Sequence, residues 1–109
     1  FYIIVGNSDV HFRNHGFLLT RKGWELSPAY DINPTRSDFQ RLLINRNTSE
    51  SNIDILLKSA GDYMLSSEKA RDIINNVRAA MRSWRNEARR QGLPQRDIDM
   101  FAPHFDKWI

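Results

Sequence analysis

The chain of 109 residues contains no cysteine, which excludes disulfides and thiolate metal sites and fits a reducing, cytoplasmic compartment. No apolar run approaches the roughly 18 residues of a membrane-spanning helix, so no membrane contact is expected. Phe1–Val5 is apolar, but no basic stretch precedes it and no small-residue cleavage site follows, so it does not read as a secretory signal. Without such a signal, the glycosylation triplet Asn47-Thr48-Ser49 reads as a chance match. The five glycines are scattered, and none forms a phosphate-covering loop. Of the four lysines, Lys22 falls in a turn, Lys58 and Lys69 on helices and Lys107 in the tail. None lies in a strand pattern suited to gripping nucleotide phosphates. The chain also opens in mid-run on Phe1-Tyr2-Ile3-Ile4-Val5 with no initiator Met, which suggests the trailing part of a longer protein.

What remains is one domain or a piece of one, 40% apolar, with a formal charge of +3 that is unevenly spread. Between Ser67 and Gln91, seven basic residues (Lys69, Arg71, Arg78, Arg82, Arg85, Arg89, Arg90) face three acidic ones (Glu68, Asp72, Glu87). A basic helix of this kind can meet nucleic acid, an acidic partner or only water.

Local propensity makes Tyr2–Val5 a buried strand, although periodicity does not separate that from the end of a buried helix. Gly16–Thr20 and Trp24–Leu26 read as the two arms of a hairpin, with Arg21-Lys22-Gly23 between them and Pro28 ending the return arm. Arg41–Asn45 is a short apolar run expected to be extended. Ile53, Leu56, Leu57, Ala60 and Met64 form a helical stripe, capped by Ser51 or Asn52. Ile73, Ile74, Val77, Met81, Trp84 and Ala88 form the stripe of a second helix. It is capped by Ser66 or Ser67, closed by Gly92 and Pro94, and on the order of 37 Å long if unbroken. A shorter helix over Pro94–Phe101 follows, broken by Pro103. Trp24, Trp84 and Trp108 are expected to pack in the core or against another lobe rather than to stack on bases.

Chemistry concentrates in Gly6–Asn14. Asp9 and Asn14 share one short loop, and the hairpin would return Asp31 to the place where that loop began. A carboxylate able to hold a hydroxyl proton, with an amide and a second carboxylate for Mg²⁺, is the set that phosphoryl transfer requires. Taken alone, Asp9 and Asn14 read sooner as loop residues that satisfy their own backbone; Asp31 shifts the balance to the catalytic reading.

Gly6-Asn7-Ser8-Asp9-Val10-His11-Phe12-Arg13-Asn14 resembles the G-N-x-D-x-H-x-K-N loop of the HipA-like serine/threonine kinases, and Leu26-Ser27-Pro28-Ala29-Tyr30-Asp31-Ile32 resembles their L-x-P-x-Y-D-[LI] segment. Ala60–Ser66, Ala70, Ile73, Ile74, Val77, Trp84, Ala88 and Gly92 are similar to the family's helical tail, so the likeness spans about Ile3 to Phe105. The resemblance implies an α+β, mostly helical fold: the C-terminal lobe of a protein-kinase-like chain with a β-hairpin after the catalytic loop. Residues 1–50 would carry the catalytic loop, hairpin and metal-binding segment, and residues 51–109 the helical tail. It implies Asp9 as catalytic base, and Asn14 and Asp31 as ligands of the Mg²⁺ that accompanies ATP. It also implies that Phe1–Val5 ends a helix, against the local strand reading. Arg13 departs from the family's Lys; both are cationic, but Arg is a fork rather than a point charge. The implied partners are a protein substrate, with a translation component suggested by analogy, and a helix-turn-helix antitoxin through which any DNA contact would be indirect.

Two other readings compete. His11 and His15 at i, i+4 near Asp9 suggest zinc, but a structural site needs four ligands and a catalytic one usually three, so a buried, hydrogen-bonded His11 is favoured. Arg78, Arg82, Arg85 and Arg89, at i, i+4, i+7 and i+11, share one helix face opposite the apolar stripe. That face is either solvated or a docking surface, and in the second case the chain could be a non-catalytic helical module binding a partner or nucleic acid.

Overall fold

The computed structural model describes residues 1–35 and 37–109. Nearly half of the chain is helical, with one antiparallel two-stranded sheet, an α+β arrangement.

Tyr2–Val5 forms a helix, α1, and not a strand. Among the described residues the one sheet is the later hairpin, so a strand here would leave its backbone groups unpaired. Gly6 closes the helix in the left-handed region at φ 69°, with Gly6 N–H donating to Ile3 O and Asn7 N–H to Tyr2 O. Ile3, Ile4 and Val5 are buried. Tertiary burial thus decides what local propensity leaves ambiguous.

Strands β1 (Phe17–Thr20) and β2 (Gly23–Leu26) pair in the register Phe17↔Leu26, Leu18↔Glu25, Leu19↔Trp24 and Thr20↔Gly23. Gly23 has φ 107°, which a side chain would resist. The Thr20 hydroxyl ties the turn by accepting from Lys22 N–H at 3.0 Å. Ser27 N–H donates to Gly16 O at 2.8 Å, so the chain leaves the hairpin beside its point of entry. Trp24 is 72% exposed on this ribbon, not in the core. With four residues per strand and no second layer among the described residues, nothing here covers it.

The segment Arg41–Asn45 is bent rather than extended; an isolated bridge, Phe39 to Glu50, and Ile44 N–H to Thr48 O hold it. Helix α2 (Ile53–Lys58) is capped by Asn52, whose side chain accepts from Asp54 and Ile55 N–H. A 3₁₀ turn over Ala60–Tyr63 follows. Met64 then adopts φ 55° and is 95% exposed, so it leaves the stripe that its spacing predicts.

Helix α3 (Ser67–Met81) is capped by Ser66, which accepts from Lys69 N–H. It does not continue to Gln91. The chain turns at Arg82-Ser83 and resumes as α4 (Trp84–Arg90). The break has a use: Trp84 becomes buried, donates Nε1–H to Asp106 at 3.1 Å and packs edge-on to Phe105 at 4.9 Å. Helix α5 (Gln95–Phe105) runs through Pro103 instead of stopping before it. Pro103 lacks the N–H that would bond the Asp99 carbonyl, so the helix carries one bond fewer there. The core is Ile3, Ile4, Ile44, Ile53 and Ile74, flanked by Val77, Met81 and Trp108. It joins α1, α2 and α3 beneath the loop that follows α1. No helix among the described residues is long and apolar enough to cross a membrane.

Candidate functional site

The loop Gly6–His15 leaves the buried end of α1 and is fixed by its own polar side chains. Asn7 is 1% exposed and donates from Nδ2 to the main-chain oxygen of Asp31 at 3.3 Å. Ser8 N–H donates to Thr35 Oγ1 at 2.9 Å, and the two hydroxyls also meet. Phe12–Asn14 forms a 3₁₀ turn. Asn14, also buried, closes that turn by accepting His11 N–H on Oδ1 at 2.9 Å. The other half of the same amide donates from Nδ2 to Asp31 Oδ2 at 2.9 Å.

Asn14 and Asp31 are therefore in direct contact although a hairpin separates them. Asp31 takes φ 54°, an uncommon conformation for a residue with a side chain, which costs roughly 1–2 kcal/mol. Four bonds fix that conformation and its surroundings. Asn7 holds the Asp31 carbonyl, Asn14 holds Oδ2, Asn33 holds Oδ1 at 2.8 Å, and Tyr30 Oη donates to Arg13 O at 2.7 Å. Three amides converge on one aspartate.

Asp9 stands on the same loop but does not join that pair. Its exposed carboxylate meets Arg41 Nε. Arg41 N–H in turn donates to Ser8 O at 3.0 Å, so the cation is anchored to the residue that precedes its partner. The pair edges a cleft lined by Ser8, Thr35, Ser37, Phe39 and Gln40.

Mg²⁺ takes oxygen ligands, and here Asn14 turns its amide nitrogen toward Asp31 and keeps its oxygen on His11 N–H, so the amide would have to turn over for the two side chains to share an ion. The group does not suit zinc. Among the described residues no three His, Cys, Asp or Glu form a metal-binding group. His15 Nδ1 faces His11 O at 3.3 Å, and its ring stands edge-on to Tyr2. His11 is half-buried, but its Nδ1 has no hydrogen-bond partner, contrary to the bonded role that its position suggests.

The four arginines do not share one helix. Arg78 and the end of α3 are separated from Arg85 and Arg89 by the break. Arg78 Nε donates to Trp108 O at 2.6 Å. Arg85 forks onto Asp106 and lies over the Trp84 ring at 4.8 Å. That fork is the main reason Asp106 is held below the usual carboxylate range, with Trp84 adding a second hydrogen bond. Two of the four cations thus fasten the C-terminal tail.

Sequence reasoning missed Asn7, Asn33 and Arg41. Asn33 had a signal, since an amide two residues beyond an aspartate commonly bonds within a turn. Arg41 had none: only the fold brings it to Asp9.

A family model described as HipA-like C-terminal domain matches residues 1–84. No curated protein and no solved structure matches the chain.

Proposed function

The chain belongs to the family of HipA-like C-terminal domains, and from that premise we propose that it is the metal- and acceptor-binding part of an ATP-dependent serine/threonine protein kinase. The observation that carries this reading is the contact between Asn14 and Asp31, side chains of separate segments joined by a hydrogen bond from Asn14 Nδ2 to Asp31 Oδ2 at 2.9 Å; a shared ion would take the place of that bond, with the amide turned to present its oxygen. Asp9, exposed on the loop that also presents Asn14, is within the same short span of chain. In this reading Asp9 accepts the hydrogen of a Ser or Thr hydroxyl, so the oxygen is oriented for in-line attack on the γ-phosphorus. Asn14 and Asp31 would hold Mg²⁺, which when bound neutralises charge on the nucleotide phosphates. Asn7, Asn33 and Tyr30 keep Asp31 in its uncommon backbone conformation, so the two segments are prearranged.

The isolated chain turns over no ATP in this reading, because the groups that grip and orient the nucleotide lie outside it and orientation supplies much of the rate. A translation component as substrate, and a helix-turn-helix antitoxin as partner in a toxin–antitoxin pair, follow from the family alone. The alternative, a non-catalytic module docking through Arg78, Arg82, Arg85 and Arg89, is weakened by the inward engagement of Arg78 and Arg85.

The test is a phosphorylation assay on the longer protein carrying Asp9→Asn. Loss of a general base typically costs about 10²–10⁴ in rate. Unchanged phosphorylation with Asp9→Asn, and loss on reversing Arg82 and Arg85, would establish the alternative instead.

A further inference from the structure

The cleft beside Asp9 has a fixed floor and a loose rim. On the floor, Ser8 and Gln40 are buried, at 6% and 8% exposure. Ser8 is bonded to Thr35, and Gln40 donates from Nε2 to Ser51 Oγ at 2.8 Å and from its N–H to Ser49 O. On the rim, Phe39 is an exposed ring, and Asp9 and Arg41 form an ion pair with side chains 54% and 69% exposed. Among the described residues lining this cleft, Asp9 is the one acid and Arg41 the one cation.

An ion pair this exposed is worth roughly 0–1 kcal/mol, so separating it costs little. If a substrate hydroxyl takes the Asp9 carboxylate, Arg41 gives up part of its counter-charge. The backbone bond from Arg41 N–H to Ser8 O keeps the Arg41 main chain beside the cleft even then, so the guanidinium stays within reach of it. A carboxylate arriving with the substrate replaces what Arg41 loses; an ammonium arriving there is repelled by it.

Resting on the phosphoryl-transfer reading above, we infer that this cleft is the acceptor-peptide site and that Arg41 selects peptides with an acidic side chain next to the acceptor Ser or Thr. Ser8, Thr35, Ser37 and Gln40 are bonded within the protein and shape the floor, while the exposed Phe39 ring gives the peptide's side chains an apolar wall. Arg41 can form the paired N–H bonds to a carboxylate that fix orientation as well as charge.

The experiment needs no catalysis. Two fluorescent peptides, identical except for Glu or Lys beside a central Ser, are titrated with the 109-residue chain by anisotropy at low salt. The Glu peptide is expected to bind about fivefold tighter, the equivalent of a single partly exposed charge pair. Arg41→Glu is expected to invert the preference, and Asp9→Asn, which frees Arg41, to enlarge it. Circular dichroism checks that both variants fold; if Arg41→Glu does not, Arg41→Gln should abolish the preference without inverting it. Equal affinities for the two peptides, no binding of either, or a preference that survives Arg41→Gln would overturn the inference. Those results leave the phosphorylation assay on the longer protein untouched. Failure of that assay, with the peptide preference intact, would remove the catalytic reading and not the charge selection.

Discussion

Asn14→Asp should make the stability of this chain depend on divalent cation. The amide now bridges two structures, accepting His11 N–H and donating to Asp31 at 2.9 Å. The substitution keeps the shape and the acceptor but removes the donor. A hydrogen bond to a charged group is worth about 1.5–3 kcal/mol. The new carboxylate also faces Asp31. Two like charges about 4 Å apart repel by about 4 kcal/mol at an effective dielectric of 20. Asp31 is exposed, so water and salt reduce this to about 1 kcal/mol. In chelator the variant should therefore lose about 2–4 kcal/mol, a large share of what a domain of this size commonly has. Added Mg²⁺ should restore about 1.4 kcal/mol at a tenfold excess over its Kd and as much again for each further tenfold. The assay is urea denaturation followed by circular dichroism, with chelator and with MgCl₂. Asn14→Ala loses both bonds, the one from His11 N–H as well as the one to Asp31, without gaining charge, and should remain indifferent to Mg²⁺. A folded Asn14→Asp variant with the same midpoint in both buffers would refute the reasoning.

Two predictions concern the packing that supports the loop. Asp106 has its folded pKa lowered from 3.8, first by the hydrogen bond from Arg85, so it stabilises the fold above that ordinary value and ceases to as pH falls through the depressed one. Acid titration followed by Trp84 fluorescence should show release of the tail in that range, and Asp106→Asn should show a loosened tail already at neutral pH; an identical acid profile for both would contradict the ion-pair account. Gly6→Ala places a methyl at φ 69°, with its Cβ 3.1 Å from His104 Cδ2. A loss of about 1–2 kcal/mol is expected from the left-handed backbone alone, and an unchanged thermal midpoint would show that the α1 cap is not strained by a side chain.

Much of the site was legible because its elements announce themselves locally. The hairpin is marked by Gly16, Gly23 and Pro28, and the helix starts by Asn52 and Ser66. The proximity of Asp31 to Asn14 followed from an out-and-back path between them. What was illegible depends on packing at a distance. Tyr2–Val5 has strand-like composition, and the family resemblance, not local propensity, pointed to the helix that forms there. Arg82-Ser83 carries no glycine or proline, so nothing local marks the break that turns Trp84 toward Phe105. The arginine periodicity was real on paper, but two members of the row spend their donors on Trp108 and Asp106. Arg41 reaches Asp9 only through a bent segment that apolar composition had suggested was straight.

The proposed metal site is tested most directly by Mn²⁺, whose unpaired electrons broaden nearby nuclear resonances even when binding is weak. In a titration of the ¹⁵N-labelled chain, the Asn14 side-chain amide and the main-chain amides of Asp31, Ile32 and Asn33 should broaden first, and excess Mg²⁺ should reverse the effect. Asp31→Asn should remove it. Broadening that begins instead at Asp54, Asp62 or Glu68, with the Asn14 amide untouched, would contradict the account.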